Sequence, residues 1–458
     1  MKKYFCLLFF ICCFSQIIFA QDYMLTFEVK TSSTSNKFPS LVSNKKWDGA
    51  PEVDLISTSN MGLTLESGSK SGWTVFLQPS GAWGWNIGDG KNRLDYLPSA
   101  IQNINDGKWH QIAISFYLAK ETAWLYFDGR HVAIYSLSEL DVDKILITEN
   151  ISFTESNNIK IKKKAQGNYK QTPKITDDNW KQIDGKRSIH YLQNKPDKLT
   201  VMSWNIWHGA RHNGVEKGIE QSINAIRTSG ADLVCMQETY GSGPKISDDL
   251  GMLFYYRSSN LSIHSKYPIV DTYNLYQPFR FGGIRVQMGT QLLDIFSLWI
   301  HYLPSISKLY PVETVEKILS EENKTRGKEI KEILQSLNQA PILADNIPLI
   351  IGGDFNSPSH LDWGEDMKLF HHNYSIEWPV SRSMIDSGFK DSFREMAPVP
   401  KFSRGNTWSP RFHESMQQRI DYLYYKGSLN CVNSYVKGYT DSEWPSDHAA
   451  IVAEYRFK

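Results

Sequence analysis

The sequence predicts two folded regions of different class, an N-terminal all-β region followed by a C-terminal α/β region. The first third contains short alternating stretches separated by Gly, Asn, Ser and Asp turns, which is typical of a sandwich or jelly roll. After Leu199 strands alternate with helices. The 458 residues exceed the length of one typical domain, and 41% hydrophobic with 22% charged residues exclude a disordered, collagen-like or coiled-coil protein.

The overall charge is nearly balanced, with Lys+Arg 50 against Asp+Glu 49. A general nucleic-acid coat protein needs a strongly basic surface, so this balance argues against that class. It does not exclude a nuclease whose basic groups are local.

The first 20 residues are predicted to be a secretory signal peptide. Lys2 and Lys3 precede an apolar run from Tyr4 to Phe19, which ends at the small residue Ala20. The run is short for a membrane span, which needs ~20 apolar residues, and no later run would anchor the chain. We therefore expect export to the periplasm or the extracellular space after cleavage near Ala20. Lipid attachment at Cys12 or Cys13 is an alternative, although no small residue precedes either.

Two of the 5 cysteines, Cys235 and Cys431, follow the predicted signal peptide. Both lie in apolar, strand-like surroundings, which favours buried thiols over a disulfide bridge. No set of Cys and His residues has zinc spacing.

The predicted all-β region spans residues 21–151. Tyr23–Val29 and Trp73–Leu77 alternate as strands, and Asp106–Ala113 reads as a strand that carries Trp-His. Ala123–Arg130 reads as a hairpin strand that ends in an Asp-Gly turn. Together with Trp83–Gly90, the pair DGKWHQIA and LYFDG resembles the laminin-G-like, concanavalin-type jelly-roll domains.

That resemblance implies an N-terminal jelly-roll sandwich that binds a glycan or a surface ligand, sometimes through calcium, although no acidic cluster marks a metal loop. The region is rich in tryptophan, and these side chains could form a sugar-stacking surface. Burial in the core is the interpretation that aromatic residues in strands favour. The tryptophans concerned are Trp47, Trp73, Trp83, Trp85, Trp109 and Trp124.

Residues 152–198 are polar and lysine-rich, and their composition predicts a solvated linker rather than a basic patch for an anionic partner. Because few contacts need cross such a linker, we expect the two folded regions to be separable. The second region then comprises residues 199–458.

Its predicted strands are Leu199–Trp204, Asp232–Met236, Leu292–Tyr302, Leu349–Ile351, Ile420–Tyr425 and Ala449–Phe457. Val215, Ile219, Ile223 and Ile226 follow the first strand at helical spacing, with Gly230 as the stop. A further helix is predicted from Val315, Ile318 and Leu319 through Ile330, Ile333 and Leu334.

Polar side chains stand at the ends of these strands, where a buried sheet delivers them into one crevice. A lone Asn or Asp after a strand is usually a turn former or a helix cap, but a whole series in this position indicates an active site. The motifs are Trp204-Asn205, Gln237-Glu238, His301, Gly353-Asp354-Phe355-Asn356, Arg419-Ile420-Asp421-Tyr422 and Ser446-Asp447-His448.

The order of these motifs resembles the endonuclease/exonuclease/phosphatase superfamily. The resemblance covers residues 199–458 and implies a four-layer α/β sandwich, with two packed sheets and outer helices. It implies a phosphoester hydrolase that uses Mg²⁺ or Mn²⁺ bound by Asn205, Glu238 and Asp447, whose oxygens suit a hard cation.

The same resemblance implies the remaining roles. His448 acts as the general base on the attacking water, and Asp421 fixes its tautomer. Asp354 orients the water, Asn356 donates to the phosphate, and His301 contacts the phosphate or assists the leaving oxygen. Arg211 and the loop residues Trp363, Trp408 and Trp444 are weaker candidates for substrate contacts.

We expect phosphodiester cleavage in a nuclease-like or sphingomyelinase-like reaction, on nucleic acid, a phospholipid head group or a phosphorylated small molecule. One alternative is a phosphomonoesterase that acts on sugar or inositol phosphates. Another, from a different class, is a glycan-binding or adhesion protein whose phosphatase-like domain is inert, although the complete motif set argues against it.

Overall fold

The computed structural model describes residues 22–34, 37–47, 69–168, 194–340 and 347–458. The predicted signal peptide lies outside this part of the chain. The described residues form an N-terminal all-β region and a C-terminal α/β region, so both predicted classes are confirmed, whereas the jelly-roll topology stays a prediction.

Two sheets form the N-terminal region. One has the strand order β5-β4-β3-β2-β9, and the other begins with β10-β1-β6-β7-β8. The strands are β1 Tyr23–Thr31, β2 Ser40–Ser43, β3 Gly72–Leu77, β4 Trp83–Gly88, β5 Arg93–Tyr96, β6 Trp109–Tyr117, β7 Thr122–Phe127, β8 Arg130–Ser136, β9 Ser152–Phe153 and β10 Ile159–Asn168.

The Trp-His strand and its hairpin form as the sequence predicts. β6 pairs antiparallel with β7, and β7 turns into β8 through Asp128 and Gly129, whose φ angles of 49° and 74° are left-handed. Such angles match the twist of a two-residue hairpin.

Most of the N-terminal tryptophans belong to the core. Trp73, Trp83 and Trp85 are fully buried, whereas Trp109 is 37% exposed. Trp47 stacks on Phe76 with the ring centroids 5.0 Å apart. These side chains are therefore packing residues first, and a sugar-stacking surface would have to be built from the few that reach solvent.

The predicted linker starts too early. β9 and β10 lie inside residues 152–198, and β10 pairs with β1 along the edge of the sheet. Ile159 and Ile161 are buried in the N-terminal core, whereas Lys160 is exposed, which is the alternation of an edge strand. Lysines protect such an edge from further pairing, so their number misleads when read as linker composition.

The C-terminal region alternates strands and helices. Its strands are β11 Leu199–Asn205, β12 Leu233–Gln237, β13 Leu253–Tyr256, β14 Ser262–Ser265, β15 Ile269–Tyr273, β16 Phe281–Met288, β17 Gln291–Trp299, β18 Leu349–Asp354, β19 Lys390–Asp391, β20 Asp421–Lys426, β21 Leu429–Lys437 and β22 Ala450–Phe457. A short distorted helix, Trp207–Ala210, follows β11. The other α-helices are α1 Val215–Ser229, α2 Gly243–Leu250, α3 Ile306–Leu309, α4 Val315–Lys324, α5 Arg326–Gln339, α6 Pro379–Asp386 and α7 Ser392–Met396.

Helix α1 ends as predicted at Gly230, which takes the left-handed conformation (φ 73°) of a C-cap. The single helix predicted from Val315 to Leu334 is wrong, because Thr325 breaks it into α4 and α5. The backbone of Thr325 is non-helical, with φ −114° and ψ −101°. The helical spacing of hydrophobic residues continues across Thr325, so it does not indicate that the helix ends there.

The core of the C-terminal region lies between two sheets. One contains β14-β12-β11-β22-β21, and the other has the order β15-β16-β17-β18-β20-β19. Val201, Cys235, Ile350 and Leu423 pack in the space between them. Helices α1 and α2 cover the outer face of the first sheet, and α5 and α6 cover the outer face of the second.

The two regions share one sheet, contrary to the expectation that few contacts cross between them. β8 pairs in parallel with β13, with Ala133 opposite Phe254 and Tyr135 opposite Tyr256, so eleven strands run continuously. Trp124 of the N-terminal sheet also packs into the core between the C-terminal sheets. Two hydrophobic cores therefore combine side chains of both regions.

Cys235 and Cys431 are both buried free thiols, as the sequence predicts. In the described part of the chain, no helix combines the length and the apolar character that a membrane span requires.

Candidate active site

The ends of five strands meet at one edge of the two C-terminal sheets. β11 and β12 are parallel, so Asn205 and Gln237 end side by side. In the facing sheet Asp354, at the end of β18, is opposite Asp421, the first residue of the antiparallel β20. His448 precedes β22, which pairs with β11. The topology thus brings residues that are far apart in sequence to one place.

A close approach between the sheets tightens this arrangement. A Cβ on Gly352 would lie 3.0 Å from both Cβ and Sγ of Cys235 and 3.0 Å from Leu423. Glycine leaves the room for the two sheets to approach each other there. Gly352, two residues before Asp354, therefore has a packing role that the sequence does not reveal.

His448 and Asp421 form the central polar pair. Nδ1 of His448 lies 2.9 Å from Oδ2 of Asp421, and both side chains are buried. Burial alone would lower the pKa of His448, but the carboxylates of Asp421, Asp354 and Asp447 outweigh it and hold that pKa well above its ordinary value. An imidazole in this setting stabilises the charge that it gains on accepting a proton at Nε2.

A second cluster links Asn205, Glu238 and Asp354. Nδ2 of Asn205 donates to Oε1 of Glu238 (3.1 Å) and to Oδ2 of Asp354 (3.2 Å). The backbone N–H of His208 donates to Oε2 of Glu238 at 3.0 Å. Burial raises the pKa of Asp354 to about 7, with the nearby charge of Asp421 adding to the effect. This carboxyl group can therefore change protonation near neutral pH.

Asp447 carries an unsatisfied oxygen. Its Oδ1 is buried and accepts no hydrogen bond from any residue that the structure describes. Burial, together with the charges of Glu238 and Asp354, raises the pKa of Asp447 to about 8. A buried carboxylate without a partner is costly, and a divalent cation is the usual compensation. The oxygen donors of Asn205, Glu238 and Asp447 fit Mg²⁺ or Mn²⁺ on this observation.

A different group of side chains also lies close enough together to hold a metal ion. Ligand atoms of Asp354, Asp421 and His448 lie within 4.8 Å of one another in the described chain. In that set, however, Nδ1 of His448 is hydrogen-bonded to Asp421. We therefore interpret His448 and Asp421 as a base and its orienting acid, and Asp354 as the residue between this pair and the oxygen donors.

The site opens into a cavity of about 320 Å³ with aromatic walls. None of the described residues that line it is Lys or Arg. The ring of Trp408 stands edge-on to His448, with the centroids 5.0 Å apart. The polar lining includes Glu238, Asp354, Asn356, Asp447 and His448, and the apolar lining includes Trp207, Trp299, Tyr302, Ile306, Trp408 and Met416.

Two predicted site residues are placed differently from expectation. His301 lines a neighbouring cavity of about 640 Å³ instead of the catalytic one, because its Nδ1 accepts from the N–H of Leu303 (2.9 Å). Asn356 does line the catalytic cavity, but its Nδ2 donates to Ile300 O (3.0 Å) and to Asp354 (3.1 Å). Its predicted donation to a phosphate would require one of these bonds to open, and the role stays a prediction.

Two residues that sequence reasoning missed hold the site in place. Oγ1 of Thr407 accepts from the N–H of Asp421 (3.1 Å), and Oδ1 of Asn260 accepts from the N–H of Glu238 (2.9 Å). Ser446, which belongs to a predicted motif, adds a further bond, because its Oγ donates to Asn205 O (2.6 Å). Single Thr and Asn residues in loops carry no sequence signal of their own, so only the fold identifies Thr407 and Asn260.

Arg419 fixes the start of β20 through buried ion pairs. Its Nε donates to Asp362 (2.9 Å) and its Nη1 donates to Asp391 (2.7 Å). Charge-assisted bonds of this kind are strong and directional. Arg419 therefore holds the strand that carries Asp421.

The weaker candidates divide into packing and cavity residues. Trp363 packs against Trp378, and Trp444 donates to His448 O at 2.7 Å, so both are structural. Arg211 donates to Tyr240 O at 3.1 Å and does not line the cavity. Trp408 lines the cavity directly.

A family model described as Endonuclease/Exonuclease/phosphatase family matches residues 202–448, which is more than half of the chain. Among curated proteins, uncharacterized protein F14F9.5 of Caenorhabditis elegans is 27% identical over 293 residues, covering 57% of this chain and 91% of that protein.

Solved structures similar to this chain include the following three. Truncated TDP2 of Caenorhabditis elegans has a TM-score of 0.41 and 16% identity, covering 57% of this chain and 97% of that one. An AP endonuclease from Archaeoglobus fulgidus has a TM-score of 0.40 and 18% identity, covering 56% and 98%. The human Nocturnin catalytic domain with bound sulfate has a TM-score of 0.40 and 15% identity, covering 57% and 94%.

Proposed function

The chain belongs to the endonuclease/exonuclease/phosphatase family and is a metal-dependent hydrolase of that family, and from this premise we propose that it cleaves phosphodiesters. The observation that carries the proposal is the buried pair of His448 and Asp421, 2.9 Å apart, beside the oxygen donors. It supplies a general base next to a place for a cation.

We assign the proton transfer to His448. Asp421 accepts the Nδ1–H bond, which leaves Nε2 of His448 as the proton acceptor. Nε2 lies 3.9 Å from Oδ2 of Asp354, so a water held by Asp354 is within reach of the base. The proton leaves the water for Nε2 as the water oxygen attacks phosphorus, and the ester oxygen departs from the opposite side.

Asn205, Glu238 and Asp447 are the residues that would hold Mg²⁺ or Mn²⁺. The bound cation would stabilise negative charge on the phosphate oxygens. The unsatisfied Oδ1 of Asp447 supports this ligand set over one that includes His448.

The cavity lining favours a phosphodiester over a sugar or inositol phosphate. Highly charged phosphomonoesters are recognised mainly by Arg and Lys, and the described lining residues include neither. Aromatic walls instead suit a substrate with a planar or apolar group beside the phosphate. A nucleotide unit and a phospholipid head group both remain candidates on this chemistry.

We also propose that the protein is exported. The support is the apolar run from Tyr4 to Phe19 behind two lysines. Cell fractionation with an antibody to the chain would test it, and a cytoplasmic full-length chain would contradict it. Binding of a glycan or surface ligand by the N-terminal region stays a proposal that rests on its resemblance to laminin-G-like domains.

A panel assay tests the proposed reaction. Purified protein with Mg²⁺ is given DNA, RNA, a sphingomyelin-like lipid, phosphorylated sugars and a small phosphodiester, and the Asp421→Asn variant is run in parallel. We expect hydrolysis of at least one phosphodiester and a strong loss in the variant, since Asn can hold His448 in the wrong tautomer. Activity confined to phosphomonoesters would favour the alternative reaction.

A further inference from the structure

The turn that carries Glu238 has an unusual backbone. Glu238 and Tyr240 adopt positive φ angles of 55° and 37°, although neither is glycine. L-residues rarely take this conformation, and it persists only where the surroundings enforce it. The position of the Glu238 carboxylate therefore depends on whatever holds this turn.

The segment Ser259–Asn260 holds it. Three consecutive backbone N–H groups donate to this segment, from Glu238 to Asn260 Oδ1 (2.9 Å), from Thr239 to Asn260 O (3.0 Å) and from Tyr240 to Ser259 O (2.9 Å). Backbone donors that are fully paired in this way fix the direction of the chain. The segment Ser259–Asn260 therefore fixes the backbone conformation of the turn that carries Glu238.

The segment Ser259–Asn260 is in turn held by hydrogen bonds to the N-terminal region. Glu139 follows β8, and its Oε2 accepts from the N–H of Ser259 (2.9 Å) and from the hydroxyl of Tyr256 (2.5 Å). Its Oε1 accepts from Oγ of Ser259 at 3.0 Å. One carboxylate of the all-β region thus binds two donors of the segment that fixes Glu238 and one donor at the end of the adjoining strand β13.

We propose that Glu139 is a positioning residue for the metal site, through which the N-terminal region sets the affinity of the C-terminal region for its cation. The inference rests on the proposed function, since it takes Glu238 to be a metal ligand. Glu139 itself does not line the catalytic cavity, so its effect passes through Ser259, Asn260 and Glu238.

Calorimetric titration of the full chain with Mn²⁺ alone tests this without a substrate. We expect Glu139→Ala to weaken binding by about 10–100-fold, which is typical of a lost outer partner of a metal ligand. Glu139→Gln keeps one acceptor oxygen for Ser259 and should fall between Glu139→Ala and wild type. In the enzyme assay the half-saturating Mg²⁺ concentration should rise while kcat at saturating Mg²⁺ recovers, whereas a loss of folded protein would lower kcat alone.

Ser99→Ala is the matched control. Oγ of Ser99 donates to Oδ2 of Asp248 at 2.6 Å, so it also joins the two regions, but on helix α2 rather than on the Ser259 loop. We expect its Mn²⁺ affinity to equal that of wild type. A general weakening of the interface would instead affect both variants alike, and that result would overturn the proposal.

The remaining outcomes separate the two hypotheses. A folded Glu139→Ala protein with wild-type Mn²⁺ affinity overturns the inference alone. If Glu139→Ala does not fold, Glu139→Gln decides in the same way. A wild-type chain that binds no Mn²⁺, or whose binding is unaffected by Glu238→Gln, overturns the proposed function and the inference with it.

Discussion

The buried carboxylate of Asp95 in the N-terminal region and the carboxylates of the candidate active site differ in how their negative charge is compensated. In the N-terminal region Arg93 and Asp95 are buried together at 2.8 Å, and Asn86 adds a further bond to the same carboxylate. In the C-terminal region Asp354 and Asp447 are buried beside each other's charge, and one oxygen of Asp447 is unsatisfied. Charged groups are therefore buried in both regions. The candidate active site differs because several carboxylates lie together there, and one carboxylate oxygen has no hydrogen-bond partner among the described residues.

The largest expected effect is the loss of hydrolysis when divalent cations are removed, which should leave the N-terminal region folded. Exhaustive chelation should abolish hydrolysis and added Mg²⁺ or Mn²⁺ should restore it, because the proposed ligands Asn205, Glu238 and Asp447 offer only oxygen donors. The strand signal in circular dichroism should persist, since hydrophobic side chains form the described N-terminal core. Full activity after chelation, measured on a small phosphodiester, would refute the assigned metal site.

The next effect compares two histidines that both contact carboxylates. His448→Ala removes the proposed base and should lower kcat by about 10²–10⁴-fold. His110 in the N-terminal region lies 2.9 Å from both Asp106 and Asp128, so His110→Ala is a matched control that should leave kcat unchanged. Steady-state rates of both variants decide the point, and wild-type turnover by His448→Ala would show that another group is the base.

The sequence largely predicts that the polar residues at the strand ends of the C-terminal region lie close together. Asn205, Glu238 and Asp354 each follow a hydrophobic strand, and strand order determines that such ends meet. The direction of loops is not encoded in this way, which is why His301 was expected at the catalytic cavity and lines the adjacent one. The alternation of Ile159 and Ile161 with lysines indicates the strand β10. The high lysine content of residues 152–198 indicates a linker instead, and that indication is misleading.

The shared sheet could not be predicted. β8 and β13 are far apart in sequence, and nothing in either strand specifies the other as its partner, because backbone pairing is nearly independent of side chain. The same holds for Glu139 and Ser259, whose contact depends on that pairing. Long-range partners of this kind become visible only in three dimensions.

A core substitution at the shared strand tests whether the regions unfold together. Phe254 on β13 is 1% exposed and belongs to the N-terminal core, so Phe254→Ala should destabilise the protein by about 3–5 kcal/mol. We expect one denaturant transition, shifted equally when followed by tryptophan fluorescence and by activity. Two transitions, with activity retained after the first, would mean that the regions unfold independently.

The smallest effect uses a buried neutral histidine. Burial lowers the pKa of His131 to about 3, below the 6.5 of an exposed imidazole, so the unfolded state takes up a proton that the folded state does not. Stability is therefore lost as the pH falls from 6.5 towards 3, by about 1.4 kcal/mol at pH 5.5 for one such group.

His131→Phe keeps an aromatic ring between Trp124 and Tyr126 and removes this proton uptake. Unfolding free energies at pH 7.5 and pH 5.5 should therefore differ less in the variant than in wild type. An equal difference in both proteins would show that His131 is not the responsible group.

Truncation tests most directly the central claim that the hydrolytic site of the C-terminal region depends on a sheet shared with the N-terminal region. A chain that begins at Ser188 lacks β8 and Glu139, which leaves β13 without its partner and the Ser259 loop without its anchor. Its turnover of a small phosphodiester at saturating Mg²⁺ is compared with that of the full chain, after circular dichroism of both. We predict a poorly folded truncated chain with little or no activity. A folded truncated chain with the turnover and the Mg²⁺ dependence of the full chain would contradict the account.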